Sequence, residues 1–155
     1  MITPLIPKRA APALAGLALV ACATPEPPAP SLSGSRWVLV AIESMDEAQP
    51  TARPDDASRY RLAFGAQGQA SLQLDCNRGS GTWQATPSAQ AEPGRASGSL
   101  VFGPIATTRA MCPPGSLAPR LERALPYVRS YLLKDGQLHL SLMADGGILS
   151  WRPAP

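Results

Sequence analysis

Tyr60-Arg61-Leu62-Ala63-Phe64, then Ala70-Ser71-Leu72-Gln73-Leu74-Asp75 running straight into Cys76-Asn77-Arg78-Gly79-Ser80-Gly81, is the stretch that decides the fold. Tyr60, Leu62 and Phe64 alternate at period two, and the alternation returns after Gly65 to Gly68. Two half-buried strands joined by a four-residue connection are a β-hairpin. The second strand ends on Cys76. Asn77, Gly79 and Gly81 can adopt the positive φ angles of a tight reversal, which predicts a turn there. Thr82-Trp83-Gln84-Ala85 then resumes as a strand with Trp83 inward.

Working outward, Trp37-Val38-Leu39-Val40-Ala41-Ile42 is a short apolar run rich in β-formers, expected to be a strand buried on both faces. Gly98 to Phe102 is another strand, closed by Gly103-Pro104. Ser130 to Leu133, Gln137 to Leu142 and Ile148 to Arg152 make a C-terminal meander with turns at Lys134-Asp135-Gly136 and Asp145-Gly146-Gly147. One helix is expected, with Ser116 as N-cap, Pro119 in its first turn, and Leu117, Leu121, Leu125 and Val128 forming an apolar stripe. Pro126 should end it near Leu125. The expected fold is α+β but mainly β: about eight mostly antiparallel strands in a small barrel or sandwich, plus one short helix.

The N-terminus reads as a processing segment. Lys8 and Arg9 precede an apolar run from Ala10 to Ala21 that Pro12 interrupts. That layout is an export signal over residues 1–21; a membrane span needs roughly 20 apolar residues. Leu19-Val20-Ala21-Cys22 resembles the lipobox of bacterial lipoproteins, in which the chain is cut before a cysteine that carries lipid. The resemblance implies lipidation of Cys22, and Ala23 in place of Asp implies the outer membrane. Residues 22–35 are rich in Pro, Ala and Ser and are expected to be a tether. The folded domain is then expected over 36–153. The full chain carries 14 Lys+Arg against 11 Asp+Glu. Losing Lys8 and Arg9 leaves a mature charge near neutral, and no basic run suggests a nucleic-acid partner.

Little catalytic chemistry is visible. Glu43, Asp46, Glu47, Asp55 and Asp56 fall in one loop, but without the order of a calcium-binding loop. His139 is the single histidine, on the strand face opposite Leu138 and Leu140, where solvent is expected. Cys76 and Cys112 lack the partners of a zinc site and the spacing of a redox pair. In an exported chain they are expected to form a structural disulfide that contributes roughly 4 kcal/mol in the chain-entropy model. No metal or cofactor is expected.

Trp37 and Leu39, Cys76-Asn77-Arg78 with Gly79 and Gly81, Gly103-Pro104-Ile105-Ala106-Thr107-Thr108-Arg109-Ala110-Met111-Cys112, and Leu138-His139-Leu140 together resemble the META/HslJ (DUF306) domain family. The resemblance implies a compact barrel or sandwich with one helix, often a lipoprotein, linked to envelope stress and without established catalysis. It makes a non-enzymatic binding protein the leading reading. The partners are then a membrane through the lipid anchor, and an envelope protein or an apolar ligand. Such a ligand would sit in a cavity beside the helix, lined from Leu117, Leu121 and Leu125, as in secretion-pilot lipoproteins. Asn77 and Arg109 are the candidate binding residues, and an enzyme built on them is the alternative.

Overall fold

The computed structural model describes residues 31–89 and 94–155. Among the described residues nine strands occur, in the order β1 (Arg36–Glu43), β2 (Tyr60–Phe64), β3 (Gln69–Leu74), β4 (Asn77–Pro87), β5 (Arg95–Phe102), β6 (Ala106–Thr107), β7 (Val128–Lys134), β8 (Gln137–Leu142) and β9 (Ile148–Pro153). A single α-helix, α1 (Ala118–Ala124), lies between β6 and β7. Neighbouring strands run β3-β2-β1-β9-β8-β7-β5-β4, and β4 pairs back onto β3, which closes an eight-stranded antiparallel barrel. The two-residue β6 adds to the side of β4.

The expected alternation fills the interior. Leu62, Phe64, Leu72, Leu74, Leu138, Leu140, Leu149 and Trp151 all lie in one buried cluster, joined by Leu121 from α1 and by Leu125 just after it. An eight-stranded barrel is just wide enough for its own side chains. Phe64 meets Trp83 edge-on, with ring centroids 5.1 Å apart. β1 is buried on both faces, as its composition predicts.

Three local expectations change. The reversal is not at Asn77 to Gly81 but at Asp75 and Cys76, because Leu74 pairs directly with Asn77. Asp75 takes the positive φ of 59°. It holds it because its amide donates to the Arg59 carbonyl and its carboxylate pairs with the Arg59 guanidinium. Gly79 and Gly81 are therefore strand residues. A Cβ on Gly81 would sit 2.8 Å from the Pro104 carbonyl oxygen and 3.0 Å from Ile105 Cγ1. The glycines let residues 104–107 lie against the strand.

The helix also starts differently. Ser116 Oγ accepts the Ala118 amide hydrogen, while Tyr60 Oη accepts that of Leu117, so a barrel tyrosine helps to hold the helix start. The chain leaves α1 through a 3₁₀ turn at Leu125–Tyr127, as Pro126 requires, and Val128 belongs to β7 rather than to the helix. At the other end, the tether expected up to Ser35 is already part of the domain. Leu32 is 4% exposed within the core cluster, and Gly34 donates to the Phe64 carbonyl. One buried leucine outweighs the loop-like composition around it, since its burial is worth about 2 kcal/mol.

Gly81→Ala should cost about 1–3 kcal/mol by forcing residues 104–107 off the barrel wall. Ser80→Ala, one residue earlier and exposed, should change stability by less than about 0.5 kcal/mol. Urea unfolding of the two variants measures the difference.

Candidate functional site

The segment after β6 is fastened to the β3–β4 turn by a covalent and a polar clamp. Cys76 and Cys112 are joined as a disulfide with Cα atoms 5.4 Å apart. Beside it, Asn77 Oδ1 accepts from the Ala110 amide at 2.8 Å and from Thr108 Oγ1 at 2.9 Å. Asn77 Nδ2 donates to the Ala110 carbonyl at 3.1 Å. The Arg78 amide donates to Thr108 Oγ1, and the Thr108 amide to the Arg78 carbonyl. Asn77 is buried, and both acceptor positions of its carboxamide are spent on this loop.

A hollow of about 470 Å³ opens next to the clamp, and both candidate binding residues border it. They differ in what they can offer. Asn77 holds the wall together, whereas Arg109 is exposed and available to a ligand. Met111 projects beside them with 98% of its surface exposed.

His139 lies opposite the leucine face, as expected, but it is half-buried rather than fully exposed. Its Nδ1 is 3.1 Å from Ser150 Oγ on β9, and Ser150 Oγ donates to Glu43 Oε1 on β1 at 3.3 Å. Strand register makes this row, since His139 pairs with Ser150 and Ser150 with Ala41. The residue types suggest a nucleophile, base and carboxylate, but the order is wrong for one. An ionised Glu43 can only accept, so it takes the single hydroxyl hydrogen of Ser150, and His139 Nδ1 is left to donate. A general base must accept the serine proton. Glu43 and Ser150 were missed in the sequence because their proximity comes from β1–β9 pairing, which no local motif announces.

A second hollow, of about 480 Å³, lies beside the helix. The cavity expected there was to be lined from Leu117, Leu121 and Leu125. Leu121 and Leu125 instead face the core at 0% and 1% exposure. The neighbouring flank of the helical segment forms the wall, with Arg120, Arg123, Ala124 and Tyr127, against Ile42 and Leu142 of the strands. Arg120 Nη1 also donates to the Pro50 carbonyl at 3.1 Å, tying the acidic loop to the helix.

The loop acids act as turn caps. Asp46 accepts from the Ala48 amide, and Asp56 accepts from both the amide and the hydroxyl of Ser58. Those two bonds hold the Asp56 carboxyl below its ordinary range. Among the described residues no cluster of three potential metal ligands occurs, and no helix is long and apolar enough to cross a membrane. Cys22 and the export signal lie outside the described residues.

Fold, disulfide and clamp coincide with a family pattern. The family model of the META domain matches residues 30–154. The chain belongs to the META family. The match includes Leu32, in agreement with its burial in the barrel. No curated protein matches the chain. Among solved structures, a DUF4847 family protein from Bacteroides vulgatus is similar at 14% identity and a TM-score of 0.50, covering 78% of this chain and 93% of its own. That likeness is one of fold. The META domain is not a known enzyme family.

Within this META domain the Cys-Asn pair and the Thr-Arg-Ala-Met-Cys segment are therefore two halves of one clamp. Asn77→Ala should cost about 1–3 kcal/mol, because it removes the hydrogen bonds by which the buried Asn77 carboxamide holds Ala110 and Thr108. It should also speed reduction of the disulfide by dithiothreitol, as the loop covering Cys112 loosens. Arg109→Ala should leave both stability and reduction rate unchanged. Thermal melts and timed thiol titration read the two effects.

Proposed function

We propose that this is an exported lipoprotein, acylated at Cys22 and held at the outer membrane facing the periplasm, whose META domain binds rather than catalyses. The ligand class is an amphipathic anion, with its apolar part in the hollow beside α1 and its acidic head toward Arg120 and Arg123. The observation that carries this reading is the composition of that hollow. Its floor is Ile42, Ala124 and Leu142, while Tyr127 and Met143 at its edge are 54% and 43% exposed. Large apolar side chains left in water around a concave surface mark a binding site. At about 480 Å³ the hollow falls within the roughly 300–1,000 Å³ of small-ligand sites. Among the described residues, leucines and Trp151 fill the barrel interior.

Catalysis has less support. Asn77 is consumed by the clamp, and the His139–Ser150–Glu43 row runs in the wrong order for nucleophilic attack. The resemblance to META/HslJ domains and the layout of the export signal support an envelope role in stress, and Leu19-Val20-Ala21-Cys22 supports the anchor.

Two measurements test the reading. A fluorescent long-chain fatty acid should bind the mature protein, and Ala124→Trp, which fills the hollow from the helix, should weaken binding at least tenfold. Equal affinity in the variant, or no binding to the parent, overturns the ligand site. Separately, Cys22→Ala should move the protein from the membrane to the soluble fraction of the envelope; retention on the membrane overturns the anchor.

A further inference from the structure

The outer wall of the barrel carries a charged row that neither hollow described above uses. In register, Arg152 of β9 stands beside Val38 of β1, Val38 beside Arg61 of β2, Arg61 beside Gln73 of β3, and Gln73 beside Arg78 of β4. Directly paired residues of an antiparallel sheet share a face. Three exposed guanidinium groups thus stand on one outer row, at intervals of about 10 Å given the spacing of strands. The next row along holds Arg36, Ala63, Ser71 and Ser80. Its small side chains leave a shallow trough of about 460 Å³, bordered by Arg36, Arg61 and Arg78.

Among the described residues no carboxylate is paired with this face. No Asp or Glu lines the trough. None of the four arginines forms an ion pair with a described residue. Arg61 Nε donates to the Ser58 carbonyl at 2.9 Å, which fixes its stem. Asp56 is the carboxylate that feels Arg61, and it is already occupied by Ser58.

We propose that this face is a docking surface for an anionic lipid leaflet. Cations set at intervals across five strands match a surface of repeated phosphates better than one compact anion. The chain's path supports the same occupant. Gly34 is bonded to Phe64, and Arg36 opens β1, so the segment leading back to Cys22 joins the barrel at the edge of this face. The nine residues from Cys22 to Ser31 span at most roughly 30 Å, so an acylated Cys22 keeps the arginines close to the leaflet. Local concentration then makes weak contacts effective. That last step rests on lipidation at Cys22; the charge match does not.

The test uses the full mature chain with Cys22→Ser, which removes the anchor and leaves the face. It should partition onto vesicles of phosphatidylglycerol mixed with phosphatidylcholine, less as salt rises, and not onto phosphatidylcholine alone. Each cation near an anionic surface contributes about fivefold, so Arg61→Ser with Arg152→Ser should weaken partition about thirtyfold. Ser71→Glu, which keeps every arginine and puts a charge in the trough, should weaken it too, whereas Arg123→Ser should not. Equal binding to neutral vesicles, or undiminished binding by the double variant, overturns the proposal. Displacement by inorganic pyrophosphate at matched ionic strength would also overturn it, by showing a small-anion site instead. Release of the acylated protein by Cys22→Ala bears on the anchor alone, so the two failures stay separate.

Discussion

Everything in this domain depends on β4 serving two neighbours. Its first half pairs with β3 from Asn77 to Thr82, and its second half pairs with β5 from Trp83 to Pro87. Without the first pairing the sheet would be open, with two long unpaired edges; with it, every long strand has a partner on each side. Strand pairing alone would leave the glycine-rich half of β4 weakly specified, because Gly79 and Gly81 have no side chains to pack. The segment from Pro104 to Thr107 supplies the missing contacts by lying over those glycines. The disulfide and Asn77 then hold that segment in place. Closure and clamp are one device, and residues far apart in sequence are needed for both.

This explains what was legible in the chain and what was not. Period-two alternation at Tyr60 to Phe64, Ala70 to Leu74 and Gln137 to Leu142 reports burial directly, so those strands are readable locally. The small residues of Asn77-Arg78-Gly79-Ser80-Gly81 carry two meanings, a turn or a close approach, and only the position of Ile105 tells them apart. Leu32 was hidden for a related reason. A single apolar residue among Ser and Gly has no period, and its burial becomes visible only once the barrel core it joins is assembled.

The candidate sites divide along the same line. Asn77 and Arg109 were found from a motif, and the structure puts both at one hollow while giving Asn77 a structural task. The hollow beside α1 was expected on the helix's apolar stripe, but a stripe of leucines is consumed by the core it packs against. What remains for a ligand is the half-polar side, where Ala124 is small and the arginines are long. The Glu43–Ser150–His139 row and the arginine row were invisible for a different reason. Both are read across strands, and sequence periodicity describes only what happens along one.

Strand direction connects these surfaces. Arg36 opens β1 and Glu43 closes it, roughly 23 Å further along at 3.3 Å per residue. The arginine trough and the entry of the N-terminal segment lie toward the first end. The hollow beside α1, with Glu43 on its wall, lies at the second. Asp46 and Glu47 follow Glu43, but Arg120 and Arg123 also line the hollow, so this second end is mixed in charge while the trough is basic. On the docking proposed above, a leaflet would hold the trough end, where no carboxylate lines the surface, in preference to the mixed end. The hollow at the other end of β1 would then stay clear of the leaflet and open to the side from which a soluble ligand arrives. The two ends of one strand would thus keep the proposed docking surface and the proposed ligand site apart.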